Sequence, residues 1–249
     1  MIFLRNIKLT IKFDGSEYHG WQRQKNAVTV QETAENALSR AIGSKITLIG
    51  CSRTDAGVHA REFVCNFESD TNIPAERLPY AMNTYLPNDI VCVSAEDAPP
   101  DFNAITSALG KRYTYYICNS QFPDVFSHSW HYRHKLDIAA MQSAAAAFLG
   151  THDFLGFAAA GFTVKSTIRT IHSLRVEKTG DMISIDVTGD GFLYNMVRII
   201  AGTLVFVGAG KLSAEDMPDI IASRDRTRAG ITAPSDGLFL SEVYYEKEI

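Results

Sequence analysis

The chain has 249 residues, 46% hydrophobic and 21% charged, and a formal net charge of -4. This is a globular composition: it excludes a disordered or low-complexity chain, and no run reaches the roughly 18 apolar residues that cross a bilayer, so no membrane partner is expected. The excess of 28 Asp+Glu over 24 Lys+Arg argues mildly against a nucleic-acid partner, although a local basic patch can steer an anionic ligand to an acidic protein.

Strict alternation over Ile7-Lys8-Leu9-Thr10-Ile11-Lys12-Phe13 predicts the first strand. A loop rich in Gly, His, Trp and Arg follows. Thr29-x-x-Glu32 is a capping box ahead of Val30, Ala34, Ala37, Leu38 and Ala41 at helical spacing, and Gly43 can end that helix in the left-handed conformation. Strands are predicted over 45–51 and 61–68, a helix over 74–85 opened by Pro74, and a strand over 89–96. This βαββαβ order is the ferredoxin-like unit. The second half repeats it in element order, without convincing identity of sequence. A strand fits 111–119, and a helix fits 138–149 between Asp137 as cap and Gly150. Strands fit 168–178 and 182–189, a helix 194–208, a shorter helix the segment after Ser213, and a last strand 238–246. The expected fold is α+β: two tandem ferredoxin-like halves with mainly antiparallel sheets and a central active-site cleft. Pro99-Pro100 and Gly110 suggest halves of 1–105 and 106–249, the second with one added helix.

The strongest local signal is Gly50-Cys51-Ser52-Arg53-Thr54-Asp55-Ala56-Gly57-Val58-His59-Ala60, a loop between two predicted strands. Loops on rigid scaffolds are where catalytic groups gather. The plainer reading is a turn in which Asp55 bonds nearby amides and Gly57 supplies a positive φ. The context favours chemistry. Phe13-Asp14-Gly15-x-x-Tyr18-His19-Gly20-Trp21-Gln22-Arg23-Gln24, then Thr29-Val30-Gln31-Glu32, precede the run. Phe102-Asn103-Ala104 with Lys111-Arg112-Tyr113-Thr114-Tyr115 follows it. Then come Gly191-Phe192-Leu193-Tyr194-Asn195-Met196-Val197-Arg198, and Ala233-Pro234 ahead of Gly237-Leu238-Phe239-Leu240. These five segments, in this order over nearly the whole chain, resemble the tRNA pseudouridine synthase A family. The resemblance implies that Asp55 is the catalytic carboxylate and that Arg53 displaces the target base and holds it out of the stack. It implies that Tyr113 stacks on the flipped uracil, Arg198 pairs with Asp55, and Leu238 lines the pocket wall. It also implies tRNA as substrate, at uridines 38, 39 and 40 of the anticodon stem-loop, and a homodimer in which one tRNA contacts both subunits.

The residues suit that chemistry on physical grounds. Moving a uracil from its N-glycosidic bond to a bond through C5 needs no redox change and no energy input, so no cofactor and no metal is expected. No GxxxxGK[ST] or HExxH occurs. One carboxylate can act as nucleophile, at the sugar or at the ring. Burial raises a carboxylate's pKa and an adjacent guanidinium lowers it, which suits Arg198, a side chain that stays charged and can pair bidentately. Arg198 could instead be a solvated helix position. But Val197, Ile199, Ile200, Leu204 and Val207 make that helix apolar over most of its surface, which points to a buried, paired charge. Unstacking a uridine costs a few kcal/mol, and an aromatic platform returns about 1–3 kcal/mol. Tyr113 fits that role against the alternative of a core tyrosine, while Tyr115 and Tyr116 read as core or edge residues. A strand leucine such as Leu238 is ordinarily core. Phosphate contacts are expected from Arg23 and Lys25, Lys111 and Arg112, Arg133 and Lys135, Lys165 and Arg169, and Arg224-x-Arg226-x-Arg228.

Other readings carry less. His128-x-x-His131-x-x-His134 lacks the spacing of a known zinc site. Cys51, Cys65, Cys92 and Cys118 show no CxxC spacing and read as buried thiols; Cys51, although near Asp55, lacks an activating pattern. The start, Met1-Ile2-Phe3-Leu4-Arg5-Asn6, has no cleavable leader pattern, so a cytoplasmic protein is expected. The competing function is a non-catalytic RNA-binding protein of duplicated ferredoxin-like units, which would need no meeting of Asp55 and Arg198. A base-excising hydrolase or glycosidase would want a second carboxylate, and the motifs offer none.

Overall fold

The computed structural model describes residues 4–125, 127–161 and 165–246. They form two compact units. One runs up to Leu109 and takes in the C-terminal strand from Phe239; the other is Gly110–Leu238.

The first unit contains β1 (Arg5–Phe13), α1 (Val30–Ile42), β2 (Ile49–Gly50), β3 (His59–Ser69), α2 (Leu78–Asn83) after a 3-10 turn, and β4 (Ile90–Ala98). β1 is central and antiparallel to both β3 and β4. Its alternation sends Ile7, Leu9 and Ile11 into the core, completely buried. Thr29 caps α1 by accepting the Glu32 N–H, and Gly43, at φ 84°, closes it by donating to the Ser39 carbonyl. The predicted strand over 45–51 shrinks to Ile49–Gly50. The backbone ahead of it bonds to α1 side chains: Ile46 N–H to Ser39 Oγ at 2.9 Å, and Leu48 N–H to Glu35 Oε1 at 3.0 Å. The Leu48 carbonyl accepts from Gln31 Nε2 at 3.0 Å. The predicted helix over 74–85 is likewise shortened, because Pro74 opens the 3-10 turn Ala75–Arg77 rather than the α-helix itself.

The free edge of β3 is shared. β2 pairs with it at Cys65 and Asn66. The C-terminal strand β10 (Leu238–Tyr244) runs parallel to it at His59 and Ala60. The expected division at 105/106 counts this strand in the second half, where it completes the βαββαβ order; its pairing with β3 is at Phe239 and Leu240.

The second unit contains β5 (Gly110–Cys118), β6 (Trp130–His131), α3 (Ile138–Ala146), β7 (Gly150–Asp153), β8 (Ile168–Thr179), β9 (Met182–Gly189), α4 (Met196–Gly208) and α5 (Met217–Ser223). Its sheet runs β5-β9-β8-β7, antiparallel throughout, with β6 added parallel to the end of β5. Asp137 caps α3 by accepting the Ala140 N–H at 3.0 Å, a contact generally worth about 1 kcal/mol. α4 is buried along most of its length, as its apolar sequence predicts. Gly202 lets the segment 230–233 cross it closely, since a Cβ there would lie 1.9 Å from the Ile231 carbonyl oxygen. Both units are α+β with mainly antiparallel strands, the two ferredoxin-like halves expected. The short strands β6 and β7 are additions that the sequence pattern did not reveal.

Candidate active site

In the first unit the catalytic run leaves β2 at Cys51 and enters β3 at His59. Cys51 is anchored by its N–H to the Val64 carbonyl at 2.8 Å, and Val58 N–H closes a turn onto the Asp55 carbonyl at 3.2 Å. Gly57 sits at φ 76°, the left-handed value expected of it.

The first loop lies directly against this turn, backbone on backbone. Gly57 N–H donates to the Tyr18 carbonyl at 3.1 Å, and Trp21 N–H donates to the Thr54 carbonyl at 3.3 Å. Two glycines permit the approach. A Cβ on Gly15 would stand 2.0 Å from the Val58 carbonyl oxygen, and one on Gly20, at φ 81°, 2.2 Å from that of Thr54. Below the turn, Trp21 stacks on Phe63 with ring centres 4.0 Å apart. His59 is buried, accepts the Gly15 N–H on Nδ1 at 3.1 Å and stacks on Phe239 of β10 at 4.7 Å. Tyr18 donates its hydroxyl to Asp89 at 2.8 Å, and burial with this bond raises its pKa above the ordinary tyrosine value.

The loop is tied in turn to α1. Val30 N–H donates to the Gly20 carbonyl and Gln31 N–H to that of Trp21. Arg23 is exposed at its tip but pairs at 2.7 Å with Glu35, a buried carboxylate that also accepts from Gln31 and from Leu48 N–H. Asp55 itself is half-buried and its neighbour Arg53 is exposed. The first unit therefore assembles three of the quoted segments: the first loop with Gln31, the catalytic run, and Phe239-Leu240.

Phe102-Asn103-Ala104 also lies in the first unit; the second unit assembles residues 111–115 and 191–198, and Ala233-Pro234 with Gly237-Leu238. Tyr113 lies on β5, 6% exposed, with the Phe192 ring edge-on at 5.2 Å. Lys111 stands half-exposed at the start of the same strand. Arg198, in the first turn of α4, is half-buried. Its Nε donates to the Ala233 carbonyl at 2.7 Å and its Nη1 to Asn195 Oδ1 at 2.8 Å. Ala233 N–H returns to the Arg198 carbonyl at 3.1 Å. Asn195 holds a left-handed φ of 60° just ahead of the helix, which an asparagine tolerates better than most residues. Tyr115 donates its hydroxyl to the Pro234 carbonyl at 2.7 Å, and burial raises its pKa; it is the core tyrosine expected. Leu238 is buried at the start of β10.

The sequence pattern of the tRNA pseudouridine synthases matches residues 9–105 and 144–246. The chain belongs to this family. It is 52% identical over 244 residues to the tRNA pseudouridine synthase A of Acetivibrio thermocellus, covering 97% of this chain and 100% of that one. It is 50% identical over 244 residues to the protein of that description from Thermoanaerobacter sp. (strain X514), and 46% identical over 244 residues to that from Clostridium acetobutylicum; each match covers 97% of this chain and 100% of the relative. As a tRNA pseudouridine synthase the enzyme is an isomerase, and tRNA is its substrate.

The remaining sequence features of this synthase find structural uses. The four cysteines are buried and unbridged. Burial pushes the Cys65 thiol far up and that of Cys92 to about 12. His131 bonds the Ser120 carbonyl at 3.0 Å, and His128 lies 3.0 Å from Asp236. Arg226 spends two nitrogens on the Gly230 carbonyl and Thr232. Among the described residues no helix is long and apolar enough to cross a membrane. Gly15, Gly20 and His59 lay within the quoted motifs but had been given no role. The signal that could have found them is the pair of glycines flanking Tyr18, since invitations to close backbone approach are what such glycines commonly are.

Proposed function

We propose that the enzyme acts on uridines 38, 39 and 40 of the tRNA anticodon stem-loop, with Asp55 as nucleophile on a nucleotide flipped out of its stack. What supports this most is the setting of Asp55. It is half-buried in a turn held by three backbone hydrogen bonds and two close glycine contacts, which is the preorganisation a nucleophile needs. The bond from N1 to C1′ breaks and one from C5 to C1′ forms. The C5 proton is lost and N1 gains one, so atoms and electrons balance without a cofactor.

In this scheme Arg53 displaces the base, Tyr113 stacks on it, Leu238 lines the pocket wall, and Arg198 keeps the Asp55 carboxylate ionised. Arg198 suits that part because two of its nitrogens are already fixed, so little freedom is lost when a third makes a bond. Lys111 and Arg23 contact phosphates; Arg23 shares its charge with Glu35 and so contributes the less. The enzyme works as a homodimer in the cytoplasm.

Incubation with unmodified tRNA transcripts, followed by chemical mapping of pseudouridine, tests the scheme. Pseudouridine at positions 38–40 is expected. Its formation only elsewhere would remove the positional claim.

Tyr113 gives a finer check. Tyr113→Phe keeps the ring and its contact with Phe192, so most of the activity is expected. Tyr113→Ala loses the platform and should lower kcat/KM about ten- to hundredfold. Equal activity of all three proteins in steady-state assays would remove Tyr113 from the mechanism.

A further inference from the structure

Thr54 immediately precedes Asp55, and its hydroxyl has no hydrogen-bond partner among the described residues. The residue is only 8% exposed, so bulk solvent does not serve the hydroxyl either. Buried polar atoms are nearly always paired, and an exception calls for a reason, of which catalytic use is one. Folding does not need a hydroxyl here. A valine has nearly the same shape and would leave no unpaired group. The backbone around Thr54 is held unevenly. Gly20 packs hard against its carbonyl, yet the hydrogen bond to that carbonyl from Trp21 N–H is 3.3 Å, at the long end of the range. Both contacts are to the Thr54 carbonyl, so they leave the side chain to turn about its Cα–Cβ bond.

We propose that Thr54 is a positioning residue for the seated nucleotide. When the uridine is flipped toward Asp55, the Thr54 side chain turns about its Cα–Cβ bond and its hydroxyl donates to an oxygen of the nucleotide's ribose-phosphate. The seated state gains a hydrogen bond that the free enzyme lacks. The flipped fraction of the bound complex rises, while overall tRNA affinity, set by many other contacts, changes little. This rests on Asp55 being the nucleophile.

The test compares Thr54→Val and Thr54→Ser with wild type and Asp55→Ala, measuring thermal midpoint, kcat and KM for tRNA. Thr54→Val should melt at or above the wild-type midpoint, keep KM, and lose about tenfold in kcat. Thr54→Ser, which keeps the hydroxyl, should recover kcat. A Thr54→Val protein with wild-type kcat overturns the proposal. So does a Thr54→Ser protein as slow as Thr54→Val, or a kcat loss that merely follows a lowered midpoint. If Asp55→Ala is inactive while Thr54→Val is unimpaired, the Thr54 proposal alone fails. If Asp55→Ala stays active, the assignment of the nucleophile fails first.

Discussion

Asp55→Ala is expected to lose pseudouridine formation by about four powers of ten or more, the scale on which removal of a nucleophile acts, while folding as the wild type does. The two halves of this expectation have separate origins. The loss follows from covalent chemistry: no other carboxylate occurs in the catalytic run from Arg53 to Ala60, so none is placed to take over. The retained fold follows from how the turn is built. Main-chain hydrogen bonds of Thr54, Asp55, Gly57 and Val58 hold it, and these survive loss of the Asp55 side chain. The half-buried position keeps the stability change within about 1 kcal/mol. Asp55→Asn, which keeps the shape and removes the charge, should be as inactive as Asp55→Ala. Product formation on undermodified tRNA and thermal melting of the same samples give both readouts. Full activity in either variant would rule out Asp55 as nucleophile. Inactivity accompanied by a collapsed melting transition would show that the side chain serves the fold instead.

How far the sequence disclosed this arrangement depended on whether a contact is local. Thr29, Gly43 and Asp137 were legible because a helix cap involves residues three or four apart. The alternation in β1 was legible because a half-buried strand imposes it. The predicted strand over 45–51 went wrong at its start because buried side chains of α1, Gln31 and Glu35, took the Leu48 backbone groups that a sheet would have used. No periodicity announces such a substitution. The last strand, β10, was legible, but its register with β3 was not, because that pairing is parallel and joins residues far apart in the chain. In the site, the motifs marked Arg198 and Ala233 separately. Their mutual hydrogen bonds appear only when segment 230–233 crosses α4. Arg23 shows the reverse. Beside the phosphate contact its charge suggests, the structure gives it a buried acid, Glu35, which no surface pattern would have revealed.

Gly20 puts the scaffold itself to the test. Gly20→Ala asks a residue with a Cβ to hold φ 81°, where an L-residue is disfavoured by about 1–2 kcal/mol. It also sets that carbon 2.2 Å from the Thr54 carbonyl oxygen and 3.1 Å from the Asp55 carbonyl carbon. Both neighbours are backbone, so no rotamer change relieves the contact. The chain must part there, and the part that moves is the turn carrying the nucleophile. A displacement of about 1 Å can cost roughly a hundredfold in rate, so a fall in kcat of about that size is expected. Gly43 provides the matched control. It has φ 84°, but a Cβ there meets nothing within 4 Å. Gly43→Ala therefore carries the same backbone strain at the end of α1 without the collision. It should lower the thermal midpoint modestly and leave kcat near wild type, whereas Gly20→Ala should lower both, and kcat far beyond what its stability loss explains. Equal kcat in the two variants would mean that the first loop merely covers the catalytic turn. A large difference at comparable stability would mean that the loop sets the position of Asp55, which makes the glycine part of the machinery without its touching the substrate.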